Sequence, residues 1–273
     1  MEKSFLTMRY YETYYYANIV HNVLSDPFPY IRHVHSWYED REQMFLAPFP
    51  KWSVLHDFAE YSIRLLIDEQ DEISAVDRLA ANPKADLWID HAMRRHAMNP
   101  EGFRRWAVGQ GIKRTDISEE DISSYYEELN LTGQVSELIE HLAKEVFYVL
   151  FNNRGLLANL NDLVAGVVRD LNPLDCDHEI STSLEGIGRI KRVAIPRWVQ
   201  KAVLYRDKGL CASCSADISG LINSQPDSHY DHIVPLAQHG INDVTNIQLL
   251  CSACNLKKGR QPLPPSDRYL TWY

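Results

Sequence analysis

Through residues 1–171 apolar positions recur at three- and four-residue steps rather than alternating, which is the period of helices that bury one face. Val135, Leu138, Ile139, Leu142, Val146 and Val149 make one such stripe. It predicts a helix begun near Thr132 and ended by the Asn152, Asn153, Gly155 cluster. Ser53 is placed to cap a second helix, with Leu55, Phe58, Ala59, Ser62 and Leu66 along its inner face. Ser118 and Asp121 have the spacing of a capping box and open a third through Tyr125 and Leu129. A last helix is predicted over Leu156 to Leu171. The tyrosine-rich run RYYETYYYANIV reads as an amphipathic helix that packs its rings into a core or onto a partner, because a base-stacking platform would sit beside basic residues.

From Asn172 to Gly188 the periodicity stops, and Pro173, Ser181, Ser183, Gly186 and Gly188 predict a linker, taken as 172–190. Beyond it, IPRWVQKAVLYRDKG predicts a short helix with Pro196 in its first turn and Gly209 as its stop. Charge changes at the same place. The net charge of −9 divides into −14 for residues 1–188 and +5 for residues 189–273. Such an asymmetry aims a polyanion at one end of the protein. The chain therefore reads as a helical domain over 1–171, a linker, and a smaller basic domain over 191–273.

The longest strongly apolar stretch, VFYVLF at 146–151, is far too short to cross a bilayer, and the N-terminal residues lack the apolar core of a secretory signal. A cytoplasmic protein with no membrane partner is expected. In a reducing compartment, cysteines at CxxC spacing serve metals or redox chemistry more readily than structural disulfides. Two such pairs are present, Cys211-Ala-Ser-Cys214 and Cys251-Ser-Ala-Cys254. A two-residue spacer lets both sulfurs of a pair turn toward one ion, and Zn²⁺ takes four thiolates tetrahedrally at about 2.3 Å. A structural zinc is predicted; a redox CxxC would occur once, at the start of a helix after a strand. Cys176 reads as a lone thiol in the linker.

Between and after the pairs lies HYDHIVPLAQHGINDVTNIQLLCSACNLKKGR. Its Asp231-His232, Asn246 and Asn255, in that order among the cysteine knuckles, resemble the HNH endonuclease superfamily over Ile195 to Arg260. The resemblance implies a ββα-metal fold, making the whole chain mainly α with a small α+β domain. It implies endonucleolytic hydrolysis of DNA, with RNA left open. His232 would be the general base, its ordinary pKa near 6.5 suiting proton uptake at cellular pH. Asp231 and Asn255 would hold one catalytic divalent cation. A carboxylate and an amide oxygen are hard ligands that favour Mg²⁺ or Mn²⁺. Asn246 would fasten the loop that carries His232, while a backbone carbonyl on the second imidazole nitrogen would fix the ring's tautomer. Adjacent strand residues point to opposite sides, so Asp231 and His232 share one site only if the strand ends there; Pro235 marks such an end.

Lys257, Lys258, Arg260 and Arg206, with Lys208 beside it, are expected to hold flanking phosphates without reading bases. Three departures from the commoner pattern stand out: Asn255 where many members have His, QHG after Pro235 where Gly-Gly is frequent, and the long arm SADISGLINSQPDSHY. His239 is accordingly a substrate contact or a loop residue. His229 shares the face of Asp231 and is read as exposed. His33 and His35 alternate as metal ligands on a strand would, but the sequence makes no acid or cysteine partner evident, so they are read as surface or packed residues, and the runs DEQDE and SEEDISSYYEE as solvated helix faces. The helical domain would serve a homodimer or a partner protein, in phage defence or restriction. The alternative is a non-catalytic, zinc-stabilised adaptor that binds nucleic acid or protein.

Overall fold

The computed structural model describes residues 6–39, 41–68, 73–175, 178–219, 228–261, 263 and 265–269. Cys176, most of the DEQDE run and much of the long arm before His229 lie outside them. In chain order the described elements are α1 (Thr13–Ser25), α2 (Ile31–Tyr38), α3 (Glu42–Leu46), α4 (Val54–Asp68), α5 (Ile73–Ala81), α6 (Trp88–Arg95), α7 (Phe103–Gly109), α8 (Glu119–Leu131), α9 (Gln134–Leu150), α10 (Arg154–Val168) and α11 (His178–Thr182). They continue with β1 (Leu184–Gly186), β2 (Arg189–Ile190), α12 (Arg197–Arg206), β3 (Ser228–His232), β4 (Ile247–Cys251) and α13 (Ser252–Lys258). The chain is thus mainly helical with a small α+β part near its C-terminus. None of the helices among the described residues is long and apolar enough to cross a membrane.

Two compact units emerge, residues 1–17 with 59–146, and residues 18–58 with 147–273. Residues 18–58, assigned from their periodicity to the helical domain, thus group with the C-terminal part. The reason is long-range pairing that no local pattern reveals. The Phe49 N–H donates to Asn242 O at 2.7 Å, and Phe49 joins an apolar cluster with Val199, Val203, Val244, Ile247 and Leu249. Val54 N–H, at the start of α4, donates to the buried carboxylate of Asp243 at 3.2 Å. The stretch read as a linker carries α11 and the short β1–β2 pair.

In the first unit the predicted capping box of α8 is present: Ser118 Oγ accepts from Asp121 N–H at 3.3 Å and the Asp121 carboxylate accepts from Ser118 N–H at 2.8 Å. The core there is aromatic, with Phe103, Trp106 and Tyr125 in mutual contact. Asp90 is buried among them, accepting from Phe103 N–H at 2.9 Å and Tyr125 Oη at 2.7 Å. Burial pushes its carboxyl above the usual range, and the two hydrogen bonds oppose that shift. The tyrosine-rich run supplies α1, where Tyr16 is buried and Tyr14 and Tyr15 are exposed.

The second unit places the hairpin. β3 and β4 pair antiparallel with Ser228 opposite Cys251, Asp231 opposite Gln248 and His232 opposite Ile247. α12 packs against β4, and Arg206 at its end fixes that contact. The Arg206 side chain is fully buried, donates to both carboxylate oxygens of Asp207 at 2.9 Å and reaches Ile247 O at 2.7 Å. Asp207 also accepts from Leu249 N–H at 3.1 Å. Pro196 is in extended conformation just before α12 rather than in its first turn. Gly209 takes φ +70°, and a Cβ there would lie 2.6 Å from Ser219 Cβ, so only glycine fits this turn.

Candidate metal centres and cleft

The first knuckle doubles back on itself because Cys211 N–H donates to Ala216 O and Ser215 N–H to Cys211 O, both at 2.8 Å, with Ser215 at φ +62°. Ala212 N–H donates to Leu249 O at 2.8 Å and ties this turn to β4. The same strand ends at Cys251, and Cys254 lies in the first turn of α13, so the hairpin itself brings the two pairs together. All four sulfurs fall within 4.8 Å of one another, and Cys214 and Cys251 are 3.8 Å apart. A tetrahedron of ~2.3 Å Zn–S bonds has edges of about 3.8 Å, so this cluster has the donor set and spacing for zinc. Burial raises the Cys211 thiol, but backbone contacts from Cys251, Cys214 and Ser213 outweigh it and bring it down to about 7. Cys214, lowered by a backbone contact from Ala216, is nevertheless pushed up to about 12 by burial and its sulfur neighbours.

Beside the cluster, an open cleft of about 530 Å³ is lined by Arg192, Ile195, Gln200, His229, Asp231 and Asn255, among others. It brings together Asp231 at the end of β3 and Asn255 on α13. His229 lines it too, since residues two apart share a strand face. Asp231 Oδ2 is enclosed, and its near neighbour is Lys258 Nζ at 2.7 Å, an ion pair too poorly aligned to count as a hydrogen bond. A carboxylate, an amide oxygen and an imidazole are donors that suit a hard or borderline divalent cation.

His232 closes β3, and its ring is not among the cleft's lining groups. The residue is 1% exposed; Nε2 lies 3.2 Å from Asn242 Oδ1 and Nδ1 has no partner. Asn242 Nδ2 donates to Lys191 O at 2.9 Å, which turns its oxygen to the ring and places the imidazole hydrogen on Nε2. The group that fixes the tautomer is therefore a side-chain amide, not the backbone carbonyl expected from the resemblance. Asn242 escaped the sequence reading, where its only signal was an asparagine in a turn. Burial pulls the His232 pKa down to about 4, against the opposing effect of Asn242.

Asn246 is fully buried and spans the loop after β3. Its Oδ1 accepts from Val234 N–H at 2.8 Å, and its Nδ2 donates to Val234 O at 3.0 Å and Ile241 O at 2.9 Å. A Cβ at Gly240 would lie 1.9 Å from Val234 O, so the loop closes only over glycine. His239, at φ +67°, donates from Nδ1 to Gly188 O at 2.7 Å; it joins this loop to the β1–β2 turn.

The four expected phosphate contacts divide. Lys257 and Arg260 are exposed at the end of α13. Arg206 is not a surface cation: its guanidinium is buried against Asp207 and β4. Lys258 is only 3% exposed, its charge held by Asp231. In both cases a short helix turns one basic side chain inward onto a carboxylate, and spacing alone does not say which. His33 and His35 lie on α2, not a strand, and His35 stands 3.2 Å from Glu39 on an exposed face.

Arg192 and Gln200 entered the cleft without any motif to announce them. Neither a curated protein nor a solved structure matches the chain. The family model of HNH endonucleases does match, over residues 211–261. That span runs from the first knuckle through the hairpin to α13, and the C-terminal part of the chain is accordingly an HNH endonuclease domain with a four-cysteine, zinc-type cluster.

Proposed function

We propose that this domain hydrolyses DNA phosphodiester bonds with one divalent cation, Mg²⁺ or Mn²⁺, held by Asp231 and Asn255, His229 completing the donor set. The observation that carries the reading is the meeting of Asp231 and Asn255 in one open cleft within the span that matches the family. The bound cation would supply Lewis-acid neutralisation of the charge that develops on the phosphate. Asp231 and Asn255 position it and leave room for phosphate oxygens. His232 serves as general base through Nδ1, the nitrogen that Asn242 leaves free, and Asn242 stabilises the imidazolium by accepting from Nε2. Because Nδ1 is enclosed, proton uptake requires a local opening around the ring. Catalytic hydrogen bonds commonly tighten only when substrate binds. Asn246 acts at one remove by closing the loop behind His232. Lys257 and Arg260 hold flanking phosphates. On the resemblance we place the activity in restriction or phage defence.

A second reading, a zinc-stabilised adaptor without catalysis, draws support from the same cleft: Lys258 stands against the carboxylate that should hold the cation, and His232 is buried. Supercoiled plasmid separates the two. With Mg²⁺ or Mn²⁺ the wild type nicks it, while Asp231→Ala and His232→Ala, with zinc content and fold intact, do not. Absence of nicking on DNA and RNA, with nucleic-acid binding retained, would establish the adaptor. Residues 190–273 alone are a less useful probe, because residues 18–58 pack with them.

A further inference from the structure

The second unit holds another cavity, of about 130 Å³, that the nuclease reading does not use. Among the described residues, Arg154, Arg206, Lys208 and Arg268 line it together with one carboxylate, Asp207. That carboxylate is already engaged by Arg206 Nε and Nη2 and by Leu249 N–H. Lys208 and Arg268 are exposed at the rim. Arg154 and Arg206 are buried, and each leaves a guanidinium nitrogen without an acceptor, Nε of Arg154 and Nη1 of Arg206.

The rest of each guanidinium is fixed. Arg154 donates from Nη2 to Arg268 O at 2.6 Å and lies over the Tyr269 ring, 4.7 Å from its centroid. Arg206 is held by Asp207 and Ile247 O, with Phe151 on its face. Neither can rotate to find a partner without breaking those contacts. A buried charged donor left unsatisfied is among the costlier defects in a fold, and the two arginines that carry such donors both line this small cavity, so one acceptor there would answer both. To accept from two buried guanidinium groups, the acceptor must be anionic and small. Sites for whole small molecules run to about 300–1,000 Å³, so this cavity suits one tetrahedral oxyanion. Guanidinium forks match phosphate oxygens in geometry and charge.

We propose that the cavity is a phosphate-binding site, with Arg154 and Arg206 donating from its floor, Lys208 and Arg268 closing its rim, and Ser215 of the first knuckle at its edge. The phosphate is either free or an internal phosphate of a nucleic-acid strand. Only the second source rests on the nuclease reading.

The test uses the full zinc-loaded chain. Inorganic phosphate raises the midpoint of thermal unfolding saturably, beyond chloride at matched ionic strength. Arg268→Gln, at an exposed position, weakens that phosphate affinity about tenfold or more, and Lys208→Gln acts in the same direction. Arg154→Gln removes the effect; if that variant fails to fold, the rim variants still decide the matter. A phosphate response equal to that of chloride, or wild-type phosphate affinity in both rim variants, would overturn the site. A single-stranded oligonucleotide without Mg²⁺ then identifies the source. An internal phosphate in the cavity lowers the dependence of log K on log salt by about 1 in Arg268→Gln. An unchanged slope beside a weakened inorganic-phosphate response assigns the cavity to free phosphate. Plasmid nicking is scored separately, so failure of the nuclease reading leaves the inorganic-phosphate result standing.

Discussion

The sulfur cluster and the cleft share the β3–β4 hairpin and α13, and they differ in how their donors stand before any ion is added. Four sulfurs already converge within 4.8 Å. The cleft's carboxylate, in contrast, carries a lysine at 2.7 Å, and the imidazole beside it faces Asn242. Soft, structural sites are specified by short-range spacing and a hairpin that joins the halves. Hard sites with open positions depend on neighbours that compete for the same oxygens, and those neighbours come from anywhere in the fold.

Removing the zinc should have the largest effect. Cys251→Ser, or a strong chelator, abolishes the hairpin's packing, because structural zinc contributes on the order of 10 kcal/mol in small domains. Bound zinc per chain and the loss of cooperative unfolding of the C-terminal part report it. Asn246→Ala comes next: with three hydrogen bonds lost and Val234 and Ile241 left unsatisfied, urea unfolding should register about 3 kcal/mol. Zinc remains bound, so cluster and loop separate.

Lys258→Met tests the competition directly. A divalent cation on Asp231 is repelled by the lysine, and at an effective dielectric near 20 that repulsion reaches several kcal/mol. Mn²⁺ binding followed by calorimetry should tighten by about tenfold or more. Unchanged affinity would mean that Lys258 leaves Asp231 whenever a cation arrives. The smallest effect lies outside both sites, at His96 in the first unit, which is buried with Nε2 unpartnered. Burial lowers its pKa, and Glu145 opposes that shift. A depressed histidine contributes stability above its ordinary pKa of about 6.5 and loses it as pH falls below that value, at a limit of about 1.4 kcal/mol per pH unit. His96→Gln flattens that slope in a stability titration. It is the control needed before acid loss of nicking is assigned to His232.

Helices were the readable part of the fold. α9 showed itself through an unbroken stripe and α8 through its capping box, because both signals are local and repeat within one or two turns. The β1–β2 pair was not readable, since two- and three-residue strands have no period to detect. Within the site, the cysteines, Asp231, Asn246 and Asn255 stood out by order and spacing. Asn242, Arg192 and Gln200 did not, because they act through proximity to residues distant in sequence. Lys258 and Arg206 are buried where surface cations were expected, for a related reason. A basic residue on a short helix carries the same letter whether it meets solvent or a buried carboxylate.

The sequence by itself determined the helical character of the chain, the four cysteines of the cluster and the residue types of the HNH-like segment, since these depend on periodicity, spacing and side-chain chemistry. Only the tertiary structure decided that residues 18–58 pack with the C-terminal part, that Lys258 occupies Asp231, and that the two unsatisfied arginines line one cavity. Burial and charge pairing are properties of neighbours in space, and the chain supplies those neighbours from positions whose separation follows no period.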